Sequence, residues 1–185
     1  MLRGQKTSIR SLEEDDAKYL YTWYNNQDVN LWSTGAWPLG TMFSMQDIVE
    51  RFIEPDPDCP RYAVLAESGQ LIGTIGFREL NLPARSATVF ITIGDQAHWD
   101  HGYGTDALIT FARFLFTQWN LHRLSLDTWD GNVRALKAYE KVGFQIEGRL
   151  REARYVLGEY RDAIQLGLLR DEFLALHPAL AQTIY

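Results

Sequence analysis

Cysteine is almost absent: the 185-residue chain has one, Cys59. One thiol forms no internal disulfide and supplies no cysteine-based zinc cluster, and no other metal-ligating cluster is read. It stands in Pro57-Asp58-Cys59-Pro60, a loop by composition. No neighbouring base or electropositive pocket would activate it. Long apolar runs are absent too. Nothing approaches the roughly 20 apolar residues of a membrane helix, and no charged-then-apolar leader opens the chain. The expectation is a cytoplasmic protein with no membrane partner. Basic excess is also lacking: 18 Lys and Arg against 24 Asp and Glu leave a formal charge of −6. That argues against nucleic acid as a main partner but says little about the charge of any one pocket. Internal repeats and low-complexity tracts are missing. What is plentiful is aromatic: six Trp, nine Tyr and nine Phe exclude a disordered chain. A single domain over 1–185 is long enough to bury a core without staples.

Hydrophobic spacing sorts the chain into short elements. Residues 7–12 read as a strand. Residues 13–26 read as a helix, with Glu13, Glu14, Asp15 and Asp16 at its start, where acidic groups suit the helix dipole. Tyr19, Leu20, Trp23 and Tyr24 recur at helical spacing, and Asn25-Asn26 ends it. Residues 27–43 contain Gly35, Pro38 and Gly40 and read as irregular, yet Leu31, Trp32, Trp37, Leu39 and Phe43 need a core or a ligand to pack on. Ser44 signals the N-cap of a helix over 45–53. Three strands follow over 62–67, 71–80 and 87–94, the first two joined at Ser68-Gly69 as an antiparallel hairpin. The clearest helix is 104–119, with Ala107, Leu108, Phe111, Ala112, Leu115 and Trp119 on one side. Then come a strand over 122–129, a helix over 132–142 capped by Asn132 and closed by Gly143, and strands over 145–155 and 162–169. The order β-α-α-β-β-β-α-β-α-β-β is α+β: a mixed sheet with helices packed on it.

Two segments carry chemistry. In the first, a strand ends at Gly94, a loop follows, and Gly102 and Gly104 open the long helix. Free N–H groups at a helix start carry partial positive charge, and glycines let the backbone approach a phosphate, so the segment suits a pyrophosphate. Taken alone, the same glycines also fit a simple chain turn. Gly102-Tyr103-Gly104-Thr105-Asp106-Ala107 also matches the dinucleotide fingerprint Gly-x-Gly-x-x-Ala. That rival puts its first glycine at the strand end, whereas Asp95 to His101 intervene here, after a strand meander unlike a doubly wound sheet. In the second segment, Asn132 and Tyr139 lie two helical turns apart on one face, about 10 Å along the axis. Both could reach one extended ligand. Taken alone, a capped amphipathic helix with Tyr139 in the core is the better account of them.

Together the segments resemble the Gcn5-related N-acetyltransferase (GNAT) superfamily, in its ribosomal-protein-alanine and spermidine acetyltransferase branch. Four ordered blocks over roughly residues 7–170 carry the resemblance. They are Trp99-x-x-Gly102-x-Gly104-x-x-Ala107; Asn132-x-x-Ala135-x-x-x-Tyr139-x-x-x-Gly143-Phe144; Glu147-Gly148-x-x-Arg151; and Gly158-x-Tyr160-x-Asp162. The resemblance implies a centrally splayed sheet flanked by helices and acetyl-CoA as co-substrate. It implies that Trp99, Asp100, His101, Gly102, Tyr103, Gly104 and Thr105 cradle the pyrophosphate. Ile91 and Ile93 would pair with the pantetheine amides, Asn132 would bond the pantetheine arm, and Tyr139 would protonate the leaving thiolate. One departure matters: several family members place a Glu near the position of Thr88, and this chain has no acidic residue between Glu79 and Asp95.

The expected reaction is direct attack of a primary amine on the thioester. A thioester is already reactive, so positioning supplies much of the rate. The base is unassigned: Glu79, Asp127, His98, His101 and ordered water are the candidates. The acceptor is open between a protein N-terminus, a polyamine and another small amine. Trp32 and Trp37, in the aromatic stretch 30–43, are the candidate acceptor-side residues. A homodimer is compatible with the sequence. Two other classes stand behind this reading. One is an acetyl-CoA-binding module without catalysis, which Tyr139 argues against. The other is a nucleotide-binding oxidoreductase, which the loop length argues against.

Overall fold

The computed structural model describes residues 1–34 and 42–181. Eight strands form one sheet: β1 (Leu2–Arg3), β2 (Thr7–Ser11), β3 (Arg61–Ala66), β4 (Leu71–Asn81), β5 (Ser86–Ile93), β6 (Arg123–Trp129), β7 (Gln145–Val156) and β8 (Glu159–Leu169). Their spatial order is β1-β2-β3-β4-β5-β6-β8-β7, and each pairing is antiparallel except β5 with β6. A parallel pair needs a crossover, and α4 (Tyr103–Thr117) provides it. The other helices are α1 (Ala17–Tyr24), α2 (Gln27–Thr34), α3 (Met45–Ile48), α5 (Val133–Val142), α6 (Arg170–Leu176) and α7 (Pro178–Ala181). Among the described residues no helix is long and apolar enough to cross a membrane.

Strand alternation splits the core in two. Val64 and Ala66 join Phe77, Ala87, Val89, Leu124 and Leu126 beneath α4, while Ala63 and Leu65 join Leu20, Trp23, Val29 and Ile48 beneath α1, α2 and α3. On α4, Ala107, Leu108, Phe111, Ala112 and Leu115 are buried, the stripe expected from their spacing. Trp119 lies past the end of that helix, is 40% exposed, and meets Phe77 edge-on.

The sequence reading needs three corrections. Within 27–43, residues Gln27–Thr34 form a helix. The Asn26 side chain accepts from the N–H groups of Asp28 and Val29, so an asparagine read as a stop also starts the next helix. Glu14–Asp16 form a 3-10 turn ahead of α1, and the expected helix over 45–53 is α only to Ile48 before a π-helical turn, Val49–Ile53. The short edge strand β1 and the helices α6 and α7 lie outside the elements expected from the sequence; α6 is held by buried Phe173 against Phe116.

Candidate active site

The sheet opens between β5 and β6. They pair only at Ser86↔Arg123, Ala87↔Leu124 and Thr88↔Ser125. Beyond Thr88 the strands diverge, β5 staying with β4 and β6 with β8. The Gly94 N–H donates to Ile72 O at 2.9 Å, in register with Gly73↔Ile93. Ladder alternation then turns the N–H and C=O groups of Ile91 and Ile93 toward the opening. The Ile93 carbonyl accepts the Trp99 indole N–H at 2.7 Å. The Ile91 groups and the Ile93 N–H have no strand partner on that side among the described residues, and buried backbone polar groups require one.

A cleft of about 250 Å³ occupies this wedge. Its floor is Ile91 to Ile93, one wall is Val29, Trp32 and Ser33 of α2, and another is the α5 face. The mouth is the loop His98 to Asp100 with Gly102 and the first turn of α4. Gly102 caps α4 at φ 84°, a left-handed conformation that glycine adopts without strain. Among the described residues a Cβ there would meet only Lys6 Nζ, at 4.0 Å, and one at Gly104 only Ile93, at 3.6 Å. The α4 N-terminus is therefore open to a ligand, with the free N–H groups of a first turn. These features fit a pyrophosphate followed by an amide-bearing arm.

Of the thirteen residues expected to bind cofactor or acceptor or to act as the acid, eleven line this cleft: Ile91, Ile93, Trp99, Asp100, Gly102, Tyr103, Gly104, Thr105, Asn132, Tyr139 and Trp32. His101 does not; it is exposed, its ring Nδ1 is bonded to Trp99 O, and its carbonyl accepts from Lys6 Nζ at 3.0 Å. Trp37 lies outside the described residues. Asn132 is buried, and its amide is taken up by the protein: it donates to Trp32 O (2.8 Å) and Thr128 Oγ1 (3.1 Å) and accepts from Ala135 N (3.4 Å). Trp32 stacks on Trp129 at 5.5 Å, and Arg134 lies over both Trp32 (5.6 Å) and Trp99 (4.0 Å). One arginine thus joins α2 to the loop that bears Trp99 through two rings.

Tyr139 is half-buried, and its hydroxyl has no hydrogen-bond partner among the described residues. Burial, with a smaller push from the Asp127 carboxylate, raises its phenol to about 12. It is therefore a neutral proton donor at any ordinary pH. Of the candidate bases, His98 lines the cleft with Nδ1 3.0 Å from Asp95 Oδ2. Asp127 is held by Arg154 and, at 3.4 Å, by Arg78. Glu79 accepts the Thr88 hydroxyl at 2.7 Å.

Four cations at or beside the cleft are additional to the residues expected from the sequence. Arg134, Lys137 and Lys141 line it from α5. Their spacing of three and four residues is a legible one-face signal. Lys6 had no such signal. It reaches the loop because Asp106, in the first turn of α4, accepts from the backbone N–H groups of Gln5, Lys6 and Thr7 and from the Thr7 hydroxyl, all within 3.0 Å. A chain of net charge −6 thereby presents a basic cleft.

A family model described as an acetyltransferase (GNAT) domain matches residues 6–145. The chain is 28% identical over 185 residues to a spermidine N(1)-acetyltransferase of Escherichia coli, covering all of this chain and 97% of that protein. A putative ribosomal N-acetyltransferase of Bacillus subtilis is 28% identical over 111 residues, 60% of each chain. Spermidine N-acetyltransferase from Vibrio cholerae, solved in complex with CoA and spermine, superposes with a TM-score of 0.79 at 26% identity, over 91% of this chain and 98% of that one. The domain match runs through the parallel β5–α4–β6 crossover that opens the sheet and on through the helix bearing Tyr139, so the chain belongs to the GNAT acetyltransferase family.

Proposed function

We propose that the wedge binds acetyl-CoA and that the enzyme transfers the acetyl group to a primary amine. The observation that carries this reading is the opening of β5 from β6 past Thr88, with a glycine-started helix at its wide end. Acetyl-CoA supplies a thioester, an acyl carbon already open to attack. The first turn of α4, with Lys6, Arg134, Lys137 and Lys141, would hold the phosphates. The Ile91 backbone and the Ile93 N–H would align the arm, and a held acyl carbon gains from orientation alone. Tyr139 would give its proton to the sulfur as the C–S bond breaks. Because its amide is satisfied within the protein, Asn132 would act on the arm mainly by fixing the start of α5 and its tie to α2.

For the acceptor we favour a small alkyl amine such as a polyamine, the substrate class named for the full-length relatives. The α2 side would form its wall, with Trp32 there. A protein N-terminus is the second reading, supported by the ribosomal-type relative. A cytoplasmic location suits an enzyme using the cell's acetyl-CoA. A homodimer through β7 fits its place at the sheet edge, and size-exclusion with light scattering tests it. The main test is calorimetry with acetyl-CoA, CoA and NAD, followed by an acceptor screen read by free thiol. Binding of NAD but not CoA would sink the assignment; CoA binding without turnover on any amine would make the protein a binding module.

A further inference from the structure

The narrow end of the wedge is closed by side chains as well as by backbone. Thr88 and Ser125 are the last paired residues of β5 and β6. Their neighbours Ala87, Val89, Leu124 and Leu126 face the core beneath α4, so both hydroxyls lie on the opposite face. Thr88 Oγ1 donates to Glu79 Oε2 at 2.7 Å and is 3.1 Å from Ser125 Oγ. A hydroxyl has one proton. Thr88 gives its own to Glu79, so Ser125 must be the donor in the 3.1 Å contact, in preference to its 3.5 Å approach to Ala87 O. Neither hydroxyl lines the 250 Å³ cleft itself; both sit at the last strand pair that closes it, where the Ser125 oxygen keeps a lone pair for a donor. The chain Ser125–Thr88–Glu79 is polarised one way, outward.

Glu79 reaches this position by leaving the regular strand. Phe77 faces the core, so alternation would send Glu79 there as well. Instead the β4–β5 register shifts between Arg78 and Asn81, and Glu79 adopts φ 55°. A non-glycine residue is strained there, and such strain gathers at functional positions. The bulge turns the carboxylate back to Thr88, while leaving the side chain 67% exposed to solvent. Arg78 Nε lies 3.6 Å from Glu79. Asp127, two residues along β6 from Ser125, is close enough to act on Tyr139 but is occupied by the guanidinium groups of Arg78 and Arg154.

We propose that Glu79 is the terminal proton acceptor of the transfer, reached from the substrate amine through the hydroxyls of Ser125 and Thr88. The inference rests on the acetyltransfer reading above. An alkyl amine arrives as an ammonium ion, with a pKa near ~10. It gives one proton to Ser125 Oγ, the Ser125 proton passes to Thr88 Oγ1, and the Thr88 proton passes to Glu79, which releases it to water. That is the one net proton of the reaction. The neutral nitrogen forms the N–C bond and the C–S pair departs on sulfur. The second N–H proton leaves nitrogen as the amide forms and returns to the Tyr139 oxygen, which gave its own proton to the sulfur, so the phenol ends as it began. Ser125 is the catalytic contact in this scheme, and Thr88 and Glu79 act through it.

The test compares Glu79→Gln, Thr88→Val and Thr88→Ser with wild type, using the acceptor returned by the screen, spermidine first among those tried. Calorimetry should show acetyl-CoA affinity within about twofold of wild type in all three, because none faces the phosphates. Near pH 7, Glu79→Gln and Thr88→Val should each lower kcat by roughly 10²-fold, the low end of general-base effects. The double variant should be no worse than either alone, since both cut one chain. Thr88→Ser, which keeps the hydroxyl, should recover most of the rate. The deficit should shrink as pH approaches ~10, where the amine deprotonates unaided. Glu79→Gln with full kcat overturns the relay, as does Thr88→Val acting where Glu79→Gln does not. A larger loss in Asp127→Asn than in Glu79→Gln moves the base to Asp127 and overturns it too. A wild type that binds no acetyl-CoA refutes the acetyltransfer reading itself, and calorimetry separates that outcome from a failed relay.

Discussion

Tyr139 is acted on by burial and by one nearby carboxylate, and both raise its pKa. A phenol held near 12 stays protonated across the working range, so no alkaline loss of kcat below about pH 10 belongs to it. Tyr139→Phe keeps the ring and its edge contact with Phe144, 6.2 Å between centroids. It should lower kcat about 10²–10⁴-fold while leaving acetyl-CoA affinity nearly unchanged. Steady-state kinetics beside calorimetry check this, and a kcat within about a factor of two would mean the ring is only packing. Gly102 offers a second residue-scale test. Among the described residues none crowds its missing side chain, and its φ is 84°. Gly102→Val should therefore leave a folded protein, apart from about 1–2 kcal/mol of local backbone strain, but weaken CoA binding strongly. Isotherms of wild-type strength from a folded variant would remove the pyrophosphate from this loop.

At the scale of elements, the turn between β1 and β2 is fastened to α4 by one side chain. The Asp106 carboxylate accepts four hydrogen bonds from Gln5, Lys6 and Thr7, and this sets Lys6 Nζ at the loop carbonyl of His101. Lys6→Met should weaken CoA binding by about tenfold at low salt, and the difference should narrow as salt screens the charge. Asp106→Asn, which exchanges acceptor oxygen for an N–H₂ that cannot accept, should reproduce that loss and also lower Tm. If Lys6→Met binds CoA with unchanged affinity at low salt, Lys6 only ties the turn. The link between α2 and α5 has a similar logic: the Asn132 amide and the Arg134 guanidinium both reach Trp32 or its carbonyl. Helices α2 and α5, which flank the cleft, are thereby held as a unit.

At the scale of the whole molecule, stability in acid should report Asp16. Burial alone would raise its carboxyl, but hydrogen bonds from the Arg10 guanidinium and the Glu13 N–H outweigh that and hold it below the usual carboxylate range. A group depressed in the folded state stabilises fully above the unfolded carboxyl's ~3.9 and loses that contribution as pH falls through the folded value. Asp16→Asn should cost about 3 kcal/mol near neutral pH, at the low end for breaking a buried pair because Arg10 keeps some solvent contact. The gap to wild type should begin to narrow below about pH 4 and go on narrowing as pH falls through the folded value. Urea titrations at pH 7 and about pH 3 measure both; a gap that does not narrow at all would show that the charge of Asp16 contributes nothing.

Local pattern in the sequence is enough to mark most of the elements and the helix starts that flank the cleft. Periodicity marked α4, the cap signals of Asn132 and Gly143 bounded α5, and Gly102 and Gly104 marked the start of the crossover helix, because caps, turns and amphipathic stripes are short-range properties. It misread 27–34, since Asn26 both stops one helix and starts the next, and an asparagine alone does not say which. Tertiary structure decided what no local pattern encodes. It placed Lys6 beside a loop some 95 residues away. It stopped β5–β6 pairing at Thr88, and it turned Glu79 out of its strand onto the hydroxyl of a residue on the neighbouring one. Such contacts depend on register, bulge and crossover, which are settled only when the sheet assembles and each strand's edge groups find, or fail to find, a partner.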